Sequence, residues 1–253
     1  MSPYGIADPA AWQESWDRQQ EAYLPDREHR LAALLDAVTA VTGNGSPRLL
    51  DLAGGTGSIS LRALRRFPGA EVTLVDLDPV LLAIAEATLG DRVTVVTADL
   101  RRPDWVTALP HRDFDAVLTA TALHWLPGER TAVLYGEIRD LLRPGGLFAN
   151  ADHMVDEGLP TLTKQLLAAA ETRRDARYAA GAVMSWTDWW SHLAAVPELA
   201  PLVARRNEIY AGGHAAEHLP PVSWHLEALR AAGYAEAGVL WRGGADAAVA
   251  GVR

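Results

Sequence analysis

Cysteine is absent from the 253 residues, which excludes disulfide staples, thiolate zinc ligands and a thiol nucleophile. Lysine is almost absent as well: Lys164 stands alone, and arginine carries the rest of the positive charge. Lys and Arg together number 23 against 32 Asp and Glu, a formal net charge of -9. That balance speaks against non-specific nucleic-acid binding, which rests on neutralising phosphates, and no basic run suggests a local groove. Long apolar runs are missing too. None approaches the roughly 20 residues of a membrane-spanning helix, and the N-terminus lacks the charged-then-apolar order of a secretory signal. These absences predict a cytoplasmic protein with no membrane or nucleic-acid partner. No feature speaks to oligomeric state.

What is present is hydrophobic material for a sizeable core, 49% of the residues. The chain is organised around Pro47-Arg48-Leu49-Leu50-Asp51-Leu52-Ala53-Gly54-Gly55-Thr56-Gly57. A short apolar run stops at clustered glycines, and an apolar-periodic segment follows over 58–67. That order predicts a buried parallel strand, a tight turn and a helix. Glycine in the turn allows positive φ and lets a ligand approach the backbone at a helix N-terminus. Further strands are predicted at 71–76, 93–97, 114–120 and 147–151, with helices between, one of them over 129–142. The alternation implies a doubly wound, Rossmann-like α/β sheet. After Pro220-Pro221 a helix capped by Ser223 should lead to a terminal hairpin, 237–241 and 245–252. Trp12, Trp16 and Tyr23 share one helical face near the N-terminus, in a segment ended by Pro25. A second amphipathic helix runs into Gly43-Asn44-Gly45.

The glycine turn resembles motif I of the class I S-adenosylmethionine-dependent methyltransferases, with Asp51 at the strand end before Gly55-Thr56-Gly57. Asp76, Asp99-Leu100, Thr119 and Arg143-Pro144-Gly145-Gly146 follow in the family's order. The terminal hairpin is a second family signature and gives a seven-stranded sheet. The resemblance implies S-adenosylmethionine as cofactor, held by Asp51, Gly54, Gly55 and Gly57. Asp76 would accept from both ribose hydroxyls, an acid placed as in nucleotide folds, with Asp78 capping the next helix. Leu77 would lie on the adenine face, and Asp99 and Leu100 would meet the adenine edge. Thr119 would end the strand beneath the methionine end. Ala53 departs from the fuller glycine pattern.

The whole chain is expected to form one methyltransferase domain. Residues 1–42 would be a helical cap, 45–151 the cofactor-binding core, 152–222 an inserted helical lid, and 223–253 the final helix and hairpin. Thr121-Ala122-Leu123-His124-Trp125-Leu126 resembles a segment of trans-aconitate-type small-molecule methyltransferases. His124 is the first candidate for catalysis, because His can act as a base near neutral pH, and His153 is the second. Tyr23, Trp125, Trp186, Trp189 and Trp190 are candidate contacts to a flat, apolar or aromatic small-molecule substrate. His214 and His218 stand four apart, but flanking glycines and prolines argue against a helix there and against a metal site. The expected function is methyl transfer to a small-molecule hydroxyl, carboxylate, amine or carbon, in secondary metabolism. Two alternatives remain: a binding protein that keeps the cofactor pocket without transfer, and a nucleotide-dependent oxidoreductase. The second is weakened by Ser60, which stands where a dinucleotide fingerprint wants glycine.

Overall fold

The computed structural model describes residues 5–24, 26–43, 45–211 and 217–253. Pro25, Asn44, Gly212, Gly213 and His214 lie outside the described residues. Seven strands form one sheet: β1 (Arg48–Leu52), β2 (Glu71–Asp76), β3 (Val93–Thr97), β4 (Phe114–Ala120), β5 (Leu142–His153), β6 (Glu236–Gly243) and β7 (Asp246–Val252). Their order is β3-β2-β1-β4-β5-β7-β6. β1 to β5 pair in parallel, and β7 runs antiparallel between β5 and β6. The order reverses between β1 and β4, the place where open α/β sheets leave a crevice beyond their carboxyl ends.

Alternating side chains of the strands feed two cores. Leu49 with Ala116 and Leu118 packs under α2 (Arg27–Thr42), α3 (Ser58–Arg66) and α4 (Pro79–Leu89). Leu50 and Leu52 with Phe114 and Val117 pack under α5 (Gly128–Leu141) and α9 (Val222–Ala231). A third cluster joins α1 (Pro9–Tyr23) to α4 and to α7 (Trp186–Ala194) through Trp16, Val80, Ile84, Trp189 and Leu193. α6 (Pro160–Ala179) and α8 (Ala200–Ile209) complete the helical insertion.

Two local expectations are corrected. The strand predicted at 147–151 extends over Leu142–His153, because Leu142 pairs with Phe114 before a bulge absorbs the Pro-Gly-Gly segment. The final helix begins at Val222 after Pro221, so Ser223 is not its cap; its hydroxyl donates to Glu157 instead. The leucines of α6 form a helical stripe, yet Leu162, Leu166 and Leu167 stay exposed. Asp78 does cap α4, accepting from the amides of Val80 and Leu81.

Candidate active site

The loops after β1, β2 and β4, together with α1, α7 and α8, enclose a cavity of about 460 Å³. β1 delivers Asp51 to its floor. One Asp51 oxygen, Oδ2, accepts from the Ser60 amide at 2.9 Å and from its hydroxyl at 2.6 Å. The dinucleotide glycine position is therefore occupied by a side chain that holds the acid in place. Oδ1 is buried without a partner, and burial pushes the carboxyl up to about 6. A Cβ on Gly54 would stand 2.7 Å from Asp51 Cγ and 2.8 Å from Leu74 Cγ, so the chain passes here only as glycine. Ala53 adopts φ +52, a left-handed conformation costing a non-glycine residue roughly 1–2 kcal/mol. The fuller family glycine pattern thus marks a backbone requirement that alanine here meets under strain.

Asp76 closes β2 against the same turn. Its Oδ2 accepts from the Gly55 amide at 2.8 Å, and Oδ1 accepts from the amides of Leu77 and Asp78. Burial, more than its neighbours, pushes this carboxyl up to about 6 as well. Asp99 lines the cavity, but both its oxygens are taken by the Arg101 guanidinium. Burial raises its pKa, and those bonds more than offset that.

At the other end stands a short helical turn, Leu123–Trp125, after β4. The ring nitrogen Nδ1 of His124 lies 2.7 Å from Asp152 Oδ1, both groups buried. A carboxylate only accepts, so Nδ1 carries a proton, and in the neutral imidazole Nε2 is the acceptor. Asp152 is driven up by burial and further down by His124, ending below the usual range. His153 lies opposite Asp246 across β5 and β7 and bonds its Oδ1 at 2.7 Å. Burial lowers His153, Asp246 more than reverses that, and its pKa ends raised. The two imidazoles lie 5.5 Å apart and both line the cavity.

Most of the residues anticipated from sequence meet in this one place: Asp51, Gly54, Gly55, Asp76, Leu77, Asp99, Leu100, Tyr23, His124, Trp125, His153, Trp186 and Trp190. Three do not. Gly57 sits behind the turn at φ +82 beside Leu89. Thr119 is fully buried, and Ala120, Thr121 and Ala122 line the cavity instead. Trp189 is buried in the helical insertion, its indole nitrogen donating to Ser15. Sequence reasoning missed Gln19, Arg27, Arg206, Tyr210 and Glu217, which also line the cavity. It did not foresee the partner of Asp152, which is adjacent to one histidine in sequence but paired with the other in space.

Comparison with known proteins is decisive for the cofactor domain. Residues 49–146 match the family described as "Methyltransferase domain". That segment is similar to a methyltransferase domain, in keeping with the motifs that resemble class I S-adenosylmethionine-dependent methyltransferases. Over 134 residues it is 34% identical to trans-aconitate 2-methyltransferase of Mycobacterium tuberculosis, covering 53% of this chain and 47% of that protein. The chain thus spans about half the length of that relative. Release factor glutamine methyltransferase of Gloeobacter violaceus is 29% identical over 206 residues, covering 71% of this chain and 68% of the relative. Human N-acetylserotonin methyltransferase in complex with SAM shares the fold, with TM-score 0.56 at 16% identity, covering 99% of this chain and 60% of that one.

The methyltransferase cavity fits the family's cofactor on its own terms. The unpartnered Asp51 Oδ1 offers an acceptor for a cationic amine. Asp76 presents a carboxylate to the cavity, and Gly54 and Gly55 leave room for close approach. Among the described residues no cluster of side chains could hold a metal ion, and no helix is long and apolar enough to cross a membrane.

Proposed function

We propose that the chain transfers a methyl group from S-adenosylmethionine to a small-molecule acceptor of the kind secondary metabolism supplies, with His124 as general base. The observation that carries this reading is the buried His124–Asp152 pair at the edge of the cofactor cavity. When bound, S-adenosylmethionine supplies an electrophilic methyl carbon, whose bond to sulfur breaks with the electron pair left on sulfur. Asp51, Asp76 and Leu77 would hold the cofactor, and Asp99 would meet its adenine end. Alignment is the larger contribution, because well-oriented reactants save roughly 7–11 kcal/mol of barrier. His124 receives the acceptor's proton at Nε2. Asp152, a positioning residue, holds the Nδ1 proton and stabilises the imidazolium that forms. His153 makes the same kind of pair with Asp246, but its other ring nitrogen, Nε2, is buried, so we assign it to binding rather than proton transfer.

Trp186 and Trp190 on α7, with Arg206 and Tyr210 at the end of α8, roof the cavity, and we read these helices as a lid that excludes water. The test has two stages. Calorimetric titration with S-adenosylmethionine and S-adenosylhomocysteine should give micromolar binding. Screening acceptors should then give turnover that His124→Ala lowers by about 10²–10⁴-fold. A folded protein that binds neither ligand refutes the reading.

A further inference from the structure

The charges lining the cavity are distributed unevenly, and this bears on which acceptor the proposed methyl transfer serves. Three arginines line the cavity, and each is held by a carboxylate. Arg27 bonds Asp17 at 2.8 Å, Arg101 bonds Asp99 at 2.8 Å, and Arg206 bonds Asp78 at 2.6 Å. All three lie by the cofactor-binding residues: Arg27 acts on Asp51, Arg101 pairs with Asp99, and Arg206 pairs with the cap of α4. Arg206 also lies over the Trp190 ring at 3.7 Å, which fixes it further.

The His124 end is built differently. Tyr23, Trp125, His124 and His153 meet there, and Glu217 adds a carboxylate whose charge acts on Tyr23. Among the described residues no arginine or lysine side chain lines this end: Arg174 lies outside the lining, over the Tyr23 ring at 5.1 Å and beside Glu171 and Asp175, and Arg30 lies behind His153, bonded to Asp246 at 2.6 Å. His153 is the group that could turn positive. Its charge would face Asp246 at 2.7 Å, a carboxylate it shares with Arg30 at 2.6 Å, and its other ring nitrogen is buried. Asp152 behind His124 adds a further negative charge. Tyr23, Trp125 and Trp186 are 42%, 36% and 42% exposed. Large aromatic surfaces therefore stand around the cavity, available to cover a ring.

We propose that the acceptor is a flat, uncharged ring compound bearing a hydroxyl, and that this site rejects carboxylates, unlike the acid named for the trans-aconitate relatives. The inference rests on the methyltransferase reading above and deepens it. An anionic acceptor would be desolvated against Glu217 and Asp152 with no cation in the lining of this end to meet it, and an unpaired buried charge is strongly disfavoured. A neutral ring loses little on entering and gains contact with the aromatic faces. Its hydroxyl needs the base that His124 provides, whereas a carboxylate needs none.

The test compares two probes of the same shape, 2-naphthol and 2-naphthoate, titrated into the protein saturated with S-adenosylhomocysteine near neutral pH. Naphthol should bind at least about tenfold tighter than naphthoate. Trp125→Ala should weaken naphthol, and Glu217→Gln should narrow the ratio by improving naphthoate. Equal binding, tighter naphthoate, no binding of either probe, or naphthol binding indifferent to Trp125→Ala overturns the inference. Failure of S-adenosylhomocysteine to bind at the outset would instead refute the methyltransferase reading.

Discussion

Replacing Asp76 by Asn separates what this carboxylate does for the fold from what it does for the cofactor. It accepts three backbone amide bonds in the folded chain, from Gly55, Leu77 and Asp78. Burial nevertheless raises its pKa from 3.8 to about 6. A shift of about two units corresponds to a penalty on the order of 3 kcal/mol for keeping it ionised in the folded protein. The sign follows: the folded state binds the proton more tightly than the unfolded state. Stability therefore falls as pH rises from 3.8 towards 6, and the penalty persists above. Asn removes that charge, retains an acceptor for Leu77 and Asp78, and leaves the Gly55 amide unpaired at about 1–3 kcal/mol. The two effects nearly cancel, so the melting temperature without cofactor should move by only a few degrees.

Cofactor binding responds oppositely. With Asp76 assigned to the ribose, the hydroxyls would donate to the ionised carboxylate, and each charge-assisted bond contributes roughly 1.5–3 kcal/mol against about 0.5–1.5 for a neutral acceptor. The variant should therefore bind S-adenosylhomocysteine roughly ten- to a hundredfold more weakly. Wild-type affinity should be full above about pH 6 and decline as pH falls through it. The variant's slope below pH 6 should be shallower by one proton, with any residual slope left to Asp51, raised to about 6 by burial. Calorimetry across this range measures both. Equal affinity of the two proteins, or parallel pH profiles, would refute the assignment of Asp76 to the cofactor.

Gly54→Ala should cost about 1–3 kcal/mol in denaturant unfolding and abolish cofactor binding, since its Cβ would meet Asp51 and Leu74 below 3.0 Å. Unchanged binding would show that Asp51 can retreat without consequence. Asp152→Asn should lower kcat by about 10²-fold or more while leaving the KM for cofactor unchanged; a KM effect alone would make Asp152 structural. His225, bonded through Nδ1 to the Tyr135 hydroxyl, is pushed by burial down to about 4. The unfolded chain then binds the proton first, so stability should be full above about pH 6.5 and fall on the order of 3 kcal/mol towards pH 4. Urea melts of wild type and His225→Gln check this, the variant losing that slope.

The parallel sheet was legible in the sequence because its cause is local. Buried strands such as Leu49–Leu52 and Val72–Val75 are short apolar runs, and turn glycines and Pro79 punctuate them. For the same reason Asp51, Asp76 and Asp99 could be placed at strand ends: each directly follows or ends such a run. Even the unusual Ala53 was marked by its departure from the glycine pattern, although only the backbone shows why, at φ +52.

Other features depend on which distant segments meet. Asp152 and His153 are neighbours in sequence, but successive residues of a strand face opposite ways. Asp152 therefore orients His124, 28 residues away, while His153 finds Asp246 across the antiparallel ladder. The tryptophans of α7 share a helical spacing that sequence cannot resolve into core and site. Packing against Trp16 buries Trp189 and leaves Trp186 and Trp190 for the cavity. Arg206 pairs with Asp78 across 128 residues. The sequence by itself therefore determined the α/β fold and the acids at the ends of its strands. Only the tertiary structure decided the partner of each histidine and the charge facing the acceptor, because those depend on contacts between side chains far apart in the chain.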